Sequence, residues 1–391
     1  MKKLLMISFD AVGDLEFERL LQYPCFAAFA RQAAVHRRAK TVFVSNTYPI
    51  HSSVVTGVVP GRHGLISNTQ PFPRKAPLWV TEEADIHART LWEAAAKKGL
   101  DTAAVLWPVT AKSRFIRYNI PEVMAQPGKS QVLTSLLAGN KRLQLKMFLR
   151  HRHLMQGIRQ PALDAFSTAC MVDILREKSP AFALMHLTAY DSLCHEYGKD
   201  YDRLAPAFAS LNNSLSALLE AAGDDTDVIV FSDHSQINIH SELTPNDLLV
   251  EAGLLRWQED AYVPGEEGCF IECCGGSAFF HSGTLAQEEV RQVRGIVENS
   301  EGFCRFLTEE EMSESGHIAN SFGFCAKAGY CYSAYFTGEK GNHGYPLDYP
   351  GYEVFYMVRG DGFAPGSSVG GSLLDIAPLA AKILGLDWPD G

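Results

Sequence analysis

Three short apolar runs in this chain each lead to an acid, and that pattern constrains the fold more than any other feature. Leu4–Phe9 is followed by Asp10, Ala181–Leu187 leads to Asp191, and Val228–Phe231 passes through Ser232 into Asp233 and His234. A fourth run spans Ala103–Trp107. The runs are continuous rather than alternating, as in strands buried on both faces of a parallel sheet. Helical patterns lie between them. Thr90–Gly99 has a Thr at its start and a Gly at its end, and Arg203–Gly223 repeats apolar residues at steps of three and four. Strands alternating with helices predict an α/β fold: a doubly wound, mostly parallel sheet with helices on both faces. In such sheets ligands bind beyond the carboxyl ends of the strands, so Asp10, Asp191 and Asp233 are expected to converge there.

Two stretches break this rhythm. Residues 108–165 are polar, basic and partly helical, whereas 236–340 are acidic, Gly-rich and carry short strand-like runs. Both are expected as insertions above the sheet. The chain returns with a strand at Glu353–Val358 and a final helix at Leu373–Leu386. The expected division is a catalytic core over 1–235 and 341–391, holding a helical, basic insertion at about 108–165, and a smaller inserted cap over 236–340.

Composition excludes several classes. A hydrophobic fraction of 46% argues against disorder. No apolar run nears the roughly 20 residues of a membrane helix, so no membrane partner is expected. The apolar stretch after Lys2 and Lys3 is too short for a secretory core, which suggests a cytoplasmic protein. The nine cysteines form no Cys-x-x-Cys pair and read as reduced thiols. A formal charge of −10 argues against a nucleic-acid polymer as partner. The charge is uneven: residues 112–160 hold ten Lys/Arg and one acid, Glu122. That stretch reads as a solvated helix pair or as a wall attracting anionic substrate.

The chemistry gathers around the strand-end acids. Asp191 and His195 are spaced i, i+4, one face of a helix. Asp233 and His234 are adjacent, and His343 lies between glycines in Gly341–Tyr345. Packed aspartates raise one another's pKa, a cost that divalent cations remove. Mixed His and Asp donors suit Zn²⁺ better than Mg²⁺ or Ca²⁺. In Ser45–Ser53, Pro49 suits the first turn of a helix running to Thr56 and ending at Gly57. Thr47 or Ser45 then reads either as the N-cap or, for Thr47, as a metal-activated nucleophile. Tyr48 reads as core packing or as a platform for a base.

These residues, in order, resemble the alkaline phosphatase superfamily and within it the type I phosphodiesterase/nucleotide pyrophosphatase family. The matching pieces are Phe9-Asp10, Thr47–His51, Thr56-Gly57 with Pro60 and His63-Gly64, Asp191…His195, Ser232–His234, Gly341–Tyr345 and Asp375–Pro378 before Leu384-Gly385. The resemblance implies a hydrolase of small phosphate esters with two Zn²⁺, or another divalent ion such as Mn²⁺. Asp191, His195 and His343 would hold one ion. Asp10, Asp233, His234 and the Thr47 oxygen would hold the other. Thr47 would attack phosphorus to give a phospho-threonine intermediate, and Asn68 would donate to a phosphoryl oxygen.

The chain departs from the family pattern in places: Cys194 stands where a Gly is usual before the His, Ser235 follows His234, and Pro346-Leu347 follows Tyr345. Sulfatases are set aside, because Thr47–His51 lacks both their convertible residue and their Arg. A phosphonoacetate hydrolase-like or phosphomonoesterase activity on the same ligands is the alternative enzyme. A binding module without turnover is the alternative from another class.

Overall fold

The computed structural model describes residues 2–317 and 322–388. Residues 318–321 of the expected cap, and Met1 and 389–391 of the expected core, lie outside the described residues. The strands of the two larger sheets are β1 (Lys3–Phe9), β2 (Ala34–Ala39), β3 (Thr102–Val105), β4 (Tyr118–Ile120), β5 (Phe182–Leu187), β6 (Thr226–Ser232), β7 (Phe270–Cys273), β8 (Ser277–His281), β9 (Phe303–Phe306), β10 (Phe322–Ala326) and β11 (Val354–Arg359). One sheet of seven has the order β2-β11-β6-β1-β5-β3-β4. β1 pairs in parallel with β5 and β6, and β3 in parallel with β5 and β4. Within this sheet β11 runs against both of its neighbours.

The helices used below are α1 (Pro24–Gln32), α2 (Thr47–Thr56), α3 (Leu91–Lys97), α4 (Gln131–Ala138), α5 (Lys141–His151), α6 (Ala162–Lys178), α7 (Ala189–Tyr197), α8 (Tyr201–Ala222), α9 (Gln287–Glu298) and α10 (Ile376–Leu384). Side chains alternate across β1, so the sheet is covered twice. Leu5, Ile7 and Phe9 pack in one core with Phe26 and Phe29 of α1, Met171 of α6 and Leu211 of α8. Leu4 and Met6 face the other core, with Ile50 and Val54 of α2, Trp92 of α3 and Ala380 of α10. The expected doubly wound, mostly parallel α/β sheet is therefore what the chain forms.

β7–β10 make a second, antiparallel sheet in the order β7-β8-β10-β9. It has its own core, in which Val293 of α9 packs with Ile271, Phe280 and Phe324. Tyr345 and Tyr352, from beyond residue 340, pack into this core as well. The segment 108–165 is less detached than its composition suggests, because β4 from within it forms the edge of the main sheet. A three-residue edge strand carries too little apolar pattern to show in the sequence.

In the basic stretch, Lys112, Arg117, Lys146 and Arg150 pair with Glu82, Asp101, Glu177 and Asp173. No helix among the described residues is long and apolar enough to cross a membrane. All nine cysteines are free.

Asp164 on α6 is completely buried and fastens the start of α7. Its carboxylate accepts the backbone N–H of Thr188 at 3.1 Å and of Ala189 at 3.0 Å, and the Gln160 amide at 2.8 Å. Replacing it by Ala orphans the N–H groups of Thr188 and of buried Ala189 at the start of the helix that carries Asp191. Asp164→Ala is expected to cost about 2–5 kcal/mol, read as a lower denaturant midpoint. An unchanged midpoint would contradict this clamp.

Candidate metal centre and nucleophile

The strand order decides what meets at the carboxyl edge. β6, β1 and β5 are adjacent, and Phe9 lies level with both Ser232 and Leu187. Asp10 and Asp233 therefore follow neighbouring strand ends, and α7 starts two residues after β5. Asp10, Asp233 and His234 offer donor atoms within 4.8 Å of one another. So do Asp191, His234 and His343. His195 Nε2 is 3.3 Å from Asp191 Oδ1, and its ring centre is 5.3 Å from that of His343. All six side chains lie in one region, but the donor group at Asp191 and His343 closes on His234 rather than on His195, which adjoins it through Asp191; the His234 ring centre is 4.2 Å from that of His343.

His343 and His234 are each held by a hydrogen bond at the nitrogen away from the centre. His343 Nδ1 is 3.2 Å from Ser45 O and 3.0 Å from Asn46 Oδ1. His234 Nδ1 is 3.2 Å from Ser235 O, while His195 Nδ1 lies 3.2 Å from Glu339 Oε2 without hydrogen-bond geometry. Backing one ring nitrogen with an acceptor fixes the tautomer and presents Nε2 as donor, the usual support of a metal-binding imidazole. Asp10 Oδ1 and Asp233 Oδ2 are buried and hydrogen-bond to no described group. Orphaned carboxylate oxygens facing presented imidazole nitrogens fit divalent cations.

The electrostatics agree. Burial, then the charges of Asp233 and Asp191, push the Asp10 carboxyl well above the usual range. Burial pushes Asp233 up to about 6, whereas it pushes His234 down to about 4 and His343 down to about 3. Burial also works to raise Asp191, but the neighbouring His195 outweighs it and holds the carboxyl well below its ordinary value. Without a cation Asp10 and Asp233 resist ionising together, and His234 and His343 resist protonation.

Neither Thr47 nor Ser45 acts as the N-cap of the following helix. Asn46 is the N-cap of α2 by position, without a side-chain cap bond. The Ser45 hydroxyl is occupied elsewhere, donating to Tyr345 O at 2.9 Å. Thr47 is the first residue of α2, and its Oγ1 lies 3.2 Å from His234 Nε2. Neither hydroxyl caps the helix, so Thr47 Oγ1 faces the centre from a positive helix end. Asn68 Oδ1 accepts the Tyr48 N–H at 2.9 Å, which places that amide beside Thr47. The Tyr48 ring is 1% exposed and packs 5.4 Å from Trp79, so it serves as core rather than as a platform for a base.

His51 shows that histidines here divide by role. It shares a candidate donor group with His186 and Asp233. Yet its Nδ1 is 2.8 Å from Thr47 O and its Nε2 is 2.9 Å from Ser8 Oγ. With both nitrogens engaged it braces α2 against β1.

Sequence reasoning missed several supports of the site. Glu339 and Gln236 touch His195 and Asp191, and His186 and Glu122 stand behind Asp10. The signal was present for two of them: one His inside the apolar run of β5, and the single acid of the basic stretch.

A doubly wound sheet gathering aspartates and histidines at its central strand ends beside one hydroxyl defines an alkaline phosphatase-like α/β protein. A family model described as "Type I phosphodiesterase / nucleotide pyrophosphatase" matches residues 4–345. The chain belongs to that family.

Among curated relatives, the human bis(5'-adenosyl)-triphosphatase ENPP4 is 25% identical over 142 residues, covering 30% of this chain and 28% of that protein. Its Xenopus laevis counterpart is 19% identical over 98% of this chain and 78% of that protein. The match to the human relative thus spans under a third of that protein's length. Among solved structures, murine ectonucleotide pyrophosphatase/phosphodiesterase 5, an inactive variant in complex with AMP, superposes with a TM-score of 0.70. It is 16% identical, with 100% of this chain and 96% of that chain covered. At that identity the likeness is one of fold.

Proposed function

We propose that the protein is a two-zinc hydrolase of phosphate esters, a phosphodiesterase/nucleotide pyrophosphatase acting through a phospho-threonine intermediate. The observation that carries this reading is Thr47 Oγ1 at the start of α2, 3.2 Å from His234 Nε2 and amid six gathered donors. Asp191, His195 and His343 would hold one ion, and Asp10, Asp233, His234 and the Thr47 oxygen the other. Bound there, divalent cations neutralise phosphoryl oxygens, favour the ionised hydroxyl and stabilise the leaving oxygen.

The chain's own groups do the rest. The N-terminus of α2 favours negative charge on Thr47 Oγ1. That oxygen forms a bond to phosphorus as the ester P–O bond breaks and the alcohol or nucleotide leaves. Asn68 Oδ1 is engaged by the Tyr48 N–H, so its Nδ2 donates to a phosphoryl oxygen and fixes the group in line. Water then bonds to phosphorus, and the Thr47 oxygen departs.

A nucleotide substrate is favoured by the relatives. One is named a bis(5'-adenosyl)-triphosphatase, and the murine neighbour holds AMP. That murine protein is an inactive variant with a threonine replaced by alanine, which supports a threonine nucleophile. We also place the protein in a reducing compartment, a reading supported by its nine free thiols.

A panel with added zinc tests the reading: dinucleoside polyphosphates, p-nitrophenyl phosphodiesters, p-nitrophenyl phosphate and phosphonoacetate. Turnover of the first two is expected to exceed the others at least tenfold. Fastest release of phosphate from phosphonoacetate would replace it with the P–C hydrolase. No turnover of any member would favour the binding module.

A further inference from the structure

We infer that His186, held by Glu122, is a positioning residue that locks Asp10 for cation binding, and that Glu122 joins this lock to the nucleophile. The inference rests on the proposal above that Asp10 is a metal ligand. His186 is completely buried on β5, level with Ser8 of β1. Its Nδ1 has two acceptors within reach, Glu122 Oε2 at 2.9 Å and Leu106 O at 3.2 Å. Two acceptors at one nitrogen place the hydrogen there and fix the plane of the ring. The opposite edge is then set against the centre, with Nε2 3.1 Å from Asp10 Oδ2, a close contact without hydrogen-bond geometry. Asp10 Oδ1, on the other side of that carboxylate, is buried without a hydrogen bond and lies 3.4 Å from His234 Nε2. The ring therefore packs against one edge of the Asp10 carboxylate and leaves Oδ1 facing the cation site.

Glu122 carries a second connection. Its Oε1 accepts from the Tyr48 hydroxyl at 3.2 Å, while the Tyr48 N–H binds Asn68 Oδ1. One carboxylate thus ties the metal-binding acid to the residue that follows Thr47 in the chain. Glu122 follows the short edge strand β4, so the otherwise basic segment 112–160 contributes its single acid to this brace. Supports of this kind act through the ligand, and their loss weakens metal binding by about 10–100-fold.

The test uses Glu122→Gln, which keeps the shape of the side chain and removes its charge. Zinc affinity is read by competition with a chromophoric chelator, beside the melting temperature of the metal-free protein. Zinc affinity is expected to fall at least tenfold while the metal-free melting temperature stays within a few degrees of wild type. At saturating zinc, kcat on a p-nitrophenyl phosphodiester is expected to fall with KM within twofold. Glu122→Asp should recover part of the affinity. Tyr48→Phe, which cuts only the second connection, should lower kcat and leave zinc affinity unchanged.

Wild-type zinc affinity in both Glu122→Gln and a folded His186→Gln would overturn the inference. Asp10→Ala separates this from failure of the underlying assignment. If Asp10→Ala loses zinc and the Glu122 and His186 variants do not, the brace alone is wrong. If Asp10→Ala also keeps full zinc affinity, Asp10 is no ligand and both fall.

Discussion

Replacing Thr47 by Ala should abolish turnover while leaving the cations bound. The substitution removes one hydroxyl and one methyl at the first position of α2, where the side chain makes no cap bond. The helix, the backbone and the six other donors remain. What disappears is the hydroxyl placed 3.2 Å from His234 Nε2, and with it the covalent step. Loss of a nucleophile that works with preorganised partners costs on the order of a thousandfold or more in kcat, about 4 kcal/mol of barrier. Activity on a phosphodiester, read beside zinc content by elemental analysis, checks both halves. A variant that turned over at the wild-type rate would remove Thr47 from the mechanism.

Stripping the cations should have the second large effect, on stability as well as on activity. Asp10 and Asp233 are buried carboxyls pushed above their ordinary range, and each has an oxygen without a hydrogen bond. Those groups lose their counterions on chelation. An ion bound only by the folded state at a thousandfold over its Kd contributes about 4 kcal/mol, and two ions contribute correspondingly more. Chelation is therefore expected to lower the melting temperature by several degrees and to end turnover, with zinc restoring both.

His343→Ala should leave the protein folded with a lower zinc stoichiometry, because it removes one donor at the Asp191 and His195 side. Zinc content unchanged in His343→Ala would exclude that role. A melting temperature indifferent to chelator would show that the carboxylates are relieved some other way.

Much of the site was legible before any tertiary contact was known. The apolar runs that end in Asp10 and Asp233 are strands by local pattern, and the acids follow directly. Asp191 and His195 share a helix face because four residues make about one turn. Pro49 lies in the first turn of α2 and Gly57 ends it, and Gly57 does adopt the left-handed conformation expected of a helix end, with φ +73°. The supports were not legible in this way. Glu122 reaches His186 across 64 residues, Asp164 reaches Ala189 across 25 and His343 reaches Asn46 across 297. No periodicity within a window of about 18 residues encodes such pairs. The edge strand β4 is too short for a signal, so Glu122 could be counted but not placed.

The sequence by itself determined the identity of the elements, since hydrophobic periodicity, caps and strand-end acids are properties of neighbouring residues. Tertiary structure alone decided that β6, β1 and β5 lie side by side, and hence that Asp10, Asp191 and Asp233 meet. It also decided which nitrogen of His234 and of His343 is held from behind and which faces the centre. The physical reason is that strand order and ring orientation are set by helix packing on the two faces of the sheet, which sums weak contacts from the whole chain.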